Sequence, residues 1–382
     1  YVRGLRVVLA NGEVIETKRL GKRELSRKMG LATFEGEIYR SLDALIEENH
    51  DLVKSISRDV SKNSAGYAIA DVKTKKGFDL TPLIVGSQGT LGLISEITFT
   101  TVPHVPGSTL IAAFFDDINK AEEVVLELRK LPKTPSAIEM VDDNLLNFVN
   151  KTNPNQLKDV LKSPFPRLVM LIEFDDTTAR AQKKMTKKAE KILSKHGIEH
   201  KVETEEAQKE KLWKIRHSAS AVIAHSDSSA KALPIVEDGI VPQDRFGEYL
   251  EGVYAIFKKN KLNIAVWGHA GNANLHMQPF LDLSQVGDRQ RVFRILDEYY
   301  SLVIELGGST SGEHNDGRLR APYLEKLYGP EAYQILMKVK NIFDPYGILN
   351  PGVKVGVTLD DIKPLLRNEY SMNHLYDHMP RT

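Results

Sequence analysis

Apolar and polar positions along this chain fall into a pattern that occurs twice. An apolar run over residues 110–115 ends in Phe115-Asp116-Asp117 and leads into helical spacing over 118–131. A second run over 168–174 ends in Phe174-Asp175-Asp176 and leads into helical spacing over 178–196. Each aspartate pair suits a helix N-terminus, where a carboxylate meets unpaired N–H groups and the positive end of the dipole. Strand–helix–strand units in duplicate predict an antiparallel sheet covered by helices, a ferredoxin-like α+β domain. In the second helix Met185, Ala189, Ile192 and Leu193 recur at helical spacing. Lys183, Lys184, Lys187, Lys188 and Lys191 therefore read as its solvated face and not as a nucleic-acid patch.

Shorter elements precede this pattern. Residues 2–9 and 13–16 read as strands joined at Asn11-Gly12, and 41–56 reads as a helix. A chain that opens inside a hairpin strand reads as cut from something longer. The apolar run Leu83-Ile84-Val85 leads into Gly86-Ser87-Gln88-Gly89-Thr90-Leu91-Gly92 and an alternating strand over 93–101. Glycines so closely spaced mark backbone that turns sharply or lets a ligand approach the main chain. Pro103-His104-Val105-Pro106-Gly107 is a natural boundary.

Composition narrows the chemistry. The 382 residues carry 52 Lys+Arg against 51 Asp+Glu, so no basic excess points to nucleic acid. No apolar run approaches the length of a membrane helix. Cysteine is absent, which excludes disulfides, thiolate nucleophiles and cysteine-held clusters within the chain. Redox chemistry here needs an organic cofactor, and any metal must be held by nitrogen and oxygen. A reducing, cytoplasmic setting fits the composition.

Two segments carry candidate ligands. In Trp267-Gly268-His269-Ala270-Gly271-Asn272-Ala273-Asn274-Leu275-His276 the small residues permit a turn that brings both imidazoles together, as in part of a nitrogen/oxygen metal site. The segment alone equally describes two unrelated loop histidines. In Gly312-Glu313-His314-Asn315-Asp316-Gly317, adjacent Glu313 and His314 point different ways from extended backbone, so one can ligate a metal while the other works as a base. A plain polar loop is the alternative. Arg216 lies on an apparent helix over 208–224, one turn after Trp213, and arginine is suited to bidentate carboxylate recognition. A surface salt bridge is its alternative, and His217 beside it reads as structural.

Together these segments resemble the FAD-linked 2-hydroxyacid oxidases and dehydrogenases of the vanillyl-alcohol-oxidase (PCMH) type, whose members include D-lactate dehydrogenases, the glycolate oxidase flavin subunit and D-2-hydroxyglutarate dehydrogenases. The resemblance rests on Asp79-Leu80-Thr81 leading into GSQGTLGLISEIT, on GHAGNANLH, on SGEHNDGR and on FDPYGILNPG, in the family's order. It implies that residues 1–104 form the second half of an FAD-binding domain, 105–330 a ferredoxin-like cap (FAD-oxidase C-terminal) domain, and 331–358 a return to the flavin domain. No role follows for 359–382, where Tyr370, Met372, His374, Tyr376 and His378 alternate.

The resemblance also implies roles. Gly86, Ser87, Gly89, Thr90 and Asn350 would lie against FAD. His269, His276 and Glu313 would hold a divalent metal, zinc first, with manganese or iron compatible. Arg216 would bind the substrate carboxylate and His314 would act as base. The expected reaction oxidises a D-lactate-like D-2-hydroxy acid to its keto acid, with hydride transfer to flavin N5. Expected partners are a segment or chain supplying the other half of the flavin site and an electron acceptor: an iron–sulfur subunit, a quinone or oxygen. The acceptor could place the protein peripherally at a membrane. D-2-hydroxyglutarate oxidation and a non-catalytic cap-domain remnant or subunit are the alternatives. The sequence departs from the family's GHxGDGNxH at Asn272 and Ala273, and has Asn315 where a glycine follows the Glu-His pair. A substrate lysine of the hydroxyglutarate enzymes finds Val236 in its place, within Val236-Glu237-Asp238-Gly239-Ile240-Val241-Pro242.

Overall fold

The opening hairpin forms where the apolar alternation and Asn11-Gly12 predict it. In the computed structural model, strands β1 (Val2–Val8) and β2 (Val14–Thr17) pair antiparallel with Val7 opposite Ile15. The structure describes residues 1–105, 107–158, 160–175, 178–224 and 231–366. The alternating residues Tyr370, Met372, His374, Tyr376 and His378 lie outside them, as does Asp176.

The chain divides into two units. The first comprises Tyr1–Pro106, Asp238–Gln243 and Val303–Leu359; the second comprises Gly107–Glu237, Asp244–Leu302 and the chain from Asp360. The return to the first unit thus falls at Val303, inside the helix Val286–Glu305, where the sequence suggested a point near residue 330.

In the first unit, β3 (Lys73–Thr74) and β4 (Gly77–Phe78) form a small ribbon, and β5 (Leu93–Phe99) completes a three-stranded sheet in the order β2-β1-β5. All seven residues of β5 are exposed, Leu93 and Phe99 among them. The predicted helix over 41–56 is longer and broken: Phe34–Glu48 is followed by His50–Ser55, with Asn49 between them at φ −125° and ψ 32°, outside helical geometry. Thr33 starts the first piece by accepting a hydrogen bond from the Gly36 N–H, and Ile38, Tyr39, Leu42, Leu45 and Ile46 form its buried stripe. These residues share a core with Leu5, Val7, Ile15, Leu83 and Ile84, and with Ile335, Leu336, Val339 and Phe343 from the helix Pro330–Phe343.

The second unit is built on one antiparallel sheet. Its strands are β6 (Thr109–Phe115), β7 (Ala137–Asp142), β8 (Leu168–Phe174), β9 (Glu199–Glu203), β10 (Lys231–Ala232), β11 (Ile264–His269) and β12 (Asn274–Leu281). Their order is β10-β12-β11-β7-β8-β6-β9. The stretch β7-β8-β6-β9 is the ferredoxin-like arrangement that the duplicated pattern predicts, and the hairpin β11–β12 extends it beyond β7. The central strands β6 and β8 are apolar apart from Thr109 and Glu173 near their ends, because both faces are covered. Leu110, Ala112, Val169 and Leu171 lie in a cluster with Leu212, Ile215 and Ala219 of the helix Glu206–Ala224, while Ile111, Ala113 and Ile172 are equally buried on the other face.

Helix starts follow the local chemistry. Asp117 caps Ile118–Arg129 by accepting from the Asn119 N–H. The helix Ala179–Lys195 is capped instead by Thr178, whose hydroxyl accepts from the Ala181 N–H.

Candidate functional site

The β11–β12 hairpin explains how histidines at an odd spacing come together. Trp267 pairs with His276 and His269 with Asn274, so the strand reverses between the two imidazoles. Gly268 has φ +153°, and a Cβ there would meet the Asn274 carbonyl oxygen at 2.5 Å, so only glycine fits beside the returning strand. Ala273 closes the turn in the left-handed region at φ +52°. The two rings stand edge to face with centroids 5.3 Å apart.

Each imidazole is held by a carboxylate. His269 donates from Nδ1 to Glu139 Oε1 at 2.6 Å, and His276 donates from Nδ1 to Glu237 Oε2 at 2.9 Å. A proton fixed on Nδ1 leaves Nε2 as the lone-pair nitrogen, the form in which histidine ligates metals. Glu139 is shared. Its second oxygen accepts from Arg216 Nε at 2.8 Å, which leaves the four N–H groups of the terminal amines as the guanidinium's remaining donors. Burial pushes the Glu139 carboxyl upwards, but the hydrogen bonds and charges of His269 and Arg216 outweigh it and hold the group below the usual carboxylate range. The second unit therefore brings Arg216, His269 and His276 together, around a carboxylate that composition and motif leave unmarked. His217 stacks on Trp213, in keeping with a structural role.

Glu313 and His314 belong to the first unit. The two lie in a bend, not in extended backbone, and their side chains approach each other, with His314 Nε2 3.6 Å from Glu313 Oε1 and the imidazole about half exposed. Lys62 forms an ion pair with Glu313. Downstream, Asn315 takes φ +64°, and its Oδ1 accepts from Lys354 Nζ at 3.2 Å. Lys354 is itself buried in an ion pair with Asp316 at 2.9 Å. Both departures from glycine, Ala273 and Asn315, thus occupy left-handed backbone. Asparagine tolerates that region better than alanine.

The glycine-rich turn and the ILNPG turn meet in the same unit. Gly86 and Gly89 both have φ +75°, and Gln88 between them has φ +55°. A Cβ on Gly86 would lie 2.8 Å from Asn315 Oδ1. Asn350 Nδ2 donates to the Gln88 carbonyl at 2.6 Å, and the Gln88 side chain accepts from the Gly317 N–H at 2.9 Å. Lys340 ties the two turns together by donating to the Thr90 and Leu349 carbonyls. Burial raises the Asp344 carboxyl, yet Lys340 and the Leu349 and Ile348 N–H groups bring it below its ordinary value. The Ser87 hydroxyl is buried with no hydrogen-bond partner among the described residues, in a turn made mostly of main chain. Backbone of that kind suits a large polyanionic cofactor. The first unit also contains a cleft of about 800 Å³ lined by Arg19, Arg58, Lys62, Asn63, Gly86 and Glu313 among others.

Among the described residues no helix is long and apolar enough to cross a membrane. The sequence profile of the FAD linked oxidases, C-terminal domain, matches residues 107–353. The glycolate oxidase subunit GlcD of Bacillus subtilis is 29% identical over 92% of this chain and 62% of its own length. A D-2-hydroxyglutarate dehydrogenase of Pantoea ananatis is 25% identical over 99% of this chain and 38% of its own. The mitochondrial D-lactate dehydrogenase [cytochrome] of Arabidopsis thaliana is 30% identical over 80% and 50%. The chain thus spans 38–62% of the length of these relatives. A solved structure of p-cresol methylhydroxylase with substrate bound shares the fold, with TM-score 0.60 and 14% identity over 94% of this chain and 65% of that one.

Proposed function

The chain belongs to the FAD linked oxidases through their C-terminal domain, and on that premise we propose that it oxidises a D-2-hydroxy acid of the D-lactate type to the 2-keto acid. The observation that carries this reading is the shared carboxylate of Glu139, which fixes a carboxylate-binding arginine and a metal-type histidine in one unit. Arg216 pairs with the substrate carboxylate through its terminal amines. His269 and His276 would hold a divalent cation, zinc by preference, and Glu313 would enter as third ligand on the order of the motifs alone. The nitrogen and oxygen donors and the Nδ1 partners Glu139 and Glu237 fit such an ion.

His314 takes the proton from the substrate hydroxyl oxygen. Gly86, Ser87, Gly89, Thr90 and Asn350 provide main-chain and amide contacts for FAD. When bound, FAD would supply a hydride acceptor for the α-hydrogen and the cation would acidify the hydroxyl, chemistry the side chains cannot supply. The chain holds no cysteine, so the electron acceptor of this reading, an iron–sulfur subunit, a quinone or oxygen, would lie outside it.

Two observations support a short substrate. The substrate lysine of the hydroxyglutarate enzymes finds no secure match, Val236 standing at the distance from Pro242 that would place it, and a D-lactate dehydrogenase is among the relatives. The test is kcat/KM for D-lactate, glycolate and D-2-hydroxyglutarate in the FAD-loaded protein. D-lactate is expected to lead, and a D-2-hydroxyglutarate preference overturns the assignment of a short substrate.

A further inference from the structure

Asp238 is fully buried in the first unit, and its carboxylate is wrapped around one short segment. Oδ2 accepts from the Ser311 hydroxyl at 2.6 Å and from the His314 N–H at 2.9 Å. The Glu313 N–H approaches both carboxylate oxygens at 3.3 Å, and the Asp238 main-chain carbonyl accepts from the Gly312 N–H at 2.8 Å. One residue therefore meets main-chain or hydroxyl donors from Ser311, Gly312, Glu313 and His314. Asp238 also has φ +71°. A left-handed non-glycine residue is strained and persists where its surroundings over-determine it.

We infer that Asp238 is a positioning residue that sets the directions in which Glu313 and His314 leave the backbone. Ligand and base are neighbours in sequence, so the path of the main chain between them decides whether both reach their tasks. A side chain held within about 0.5 Å of its working place needs its own backbone fixed first. Asp238 fixes the upstream side of this turn, while Lys354 and Asp316 fix the downstream side. Loss of the carboxylate removes the acceptor of the buried Ser311 hydroxyl and of the Glu313 and His314 N–H groups and frees the turn. The inference rests on the roles proposed above for Glu313 and His314.

The test uses Asp238→Asn and Asp238→Ala in the FAD- and metal-loaded protein, with anaerobic stopped-flow reduction by D-lactate and zinc titration of the metal-stripped protein. Asp238→Ala is expected to lower the limiting rate of flavin reduction and the zinc affinity by about 10- to 100-fold, the span typical of lost support behind a ligand. Substrate dissociation should stay within about threefold of wild type, because Arg216 is untouched. Asp238→Asn keeps one carbonyl oxygen for the His314 N–H and should recover part of the rate. Should Asp238→Ala not fold, the isosteric Asn variant carries the test. Equal losses in both variants that track the folded fraction, or wild-type rates and zinc affinity in either, overturn the inference. If no 2-hydroxy acid reduces the wild-type flavin, the proposed function fails instead. Zinc titration then decides on Asp238 alone, weaker binding supporting its role and unchanged binding refuting it.

Discussion

Glu139 and His269 are joined at 2.6 Å, and the same carboxylate holds Arg216 at 2.8 Å from its other oxygen. A glutamine at this position has one acceptor for two donors. Glu139→Gln is therefore expected to lower zinc affinity by about 10- to 100-fold and to raise KM for the hydroxy acid, because Arg216 loses its anchor. Calorimetric zinc titration with steady-state kinetics checks both; unchanged values in each would remove Glu139 from the account.

Ala273 and Asn315 occupy similar backbone but should respond differently to glycine. Ala273 makes its turn at φ +52° with nothing beyond a methyl group. Ala273→Gly is expected to stabilise the protein by about 1 kcal/mol. Asn315→Gly relieves the same strain at φ +64° but removes the acceptor of Lys354 Nζ, and should bring no gain. Urea denaturation of the two variants separates these outcomes.

The legible parts of this molecule are those written in contiguous residues. The duplicated run ending in Phe-Asp-Asp predicted the sheet of the second unit, and the small residues between His269 and His276 predicted the turn that joins them. Support from distant segments was not legible. Glu139 lies 130 residues from His269, and Gln88 lies 262 from Asn350. A signal for Glu139 exists: it is a lone acid within the otherwise apolar run Ala137-Ile138-Glu139-Met140-Val141, where an unpaired charge would be costly. The acidic pair Glu237-Asp238 was visible as a pair. Its split duties, Glu237 on His276 and Asp238 on the Glu313–His314 backbone, needed three dimensions.

Lys354 and Asp316 form a pair with almost no exposure, so breaking it strands a buried charge. Lys354→Met is expected to cost about 3–5 kcal/mol. The double variant Lys354→Met/Asp316→Leu should recover much of that, because neither charge remains. Equal destabilisation of the single and double variants would refute this view of the turn.

Asp142 gives the second unit a pH dependence. Burial pushes its carboxyl up to about 7, against the Leu145 and Val266 N–H groups and the Tyr254 hydroxyl, which favour the anion. With a folded value above the unfolded one, its stabilising contribution is complete below the unfolded value, is lost as pH rises towards 7, and is level beyond. Relative to Asp142→Asn, the wild type should lose about 1.4 kcal/mol per pH unit between roughly pH 5 and 7. Paired denaturation curves across that range measure it, and a constant gap contradicts it.

The most direct measurement is an anaerobic visible spectrum of the FAD- and zinc-loaded protein before and after one equivalent of D-lactate. The account predicts bleaching of the flavin with one pyruvate formed per flavin, and loss of both in His314→Ala. A flavin that binds yet stays oxidised with D-lactate, glycolate and D-2-hydroxyglutarate alike would contradict it.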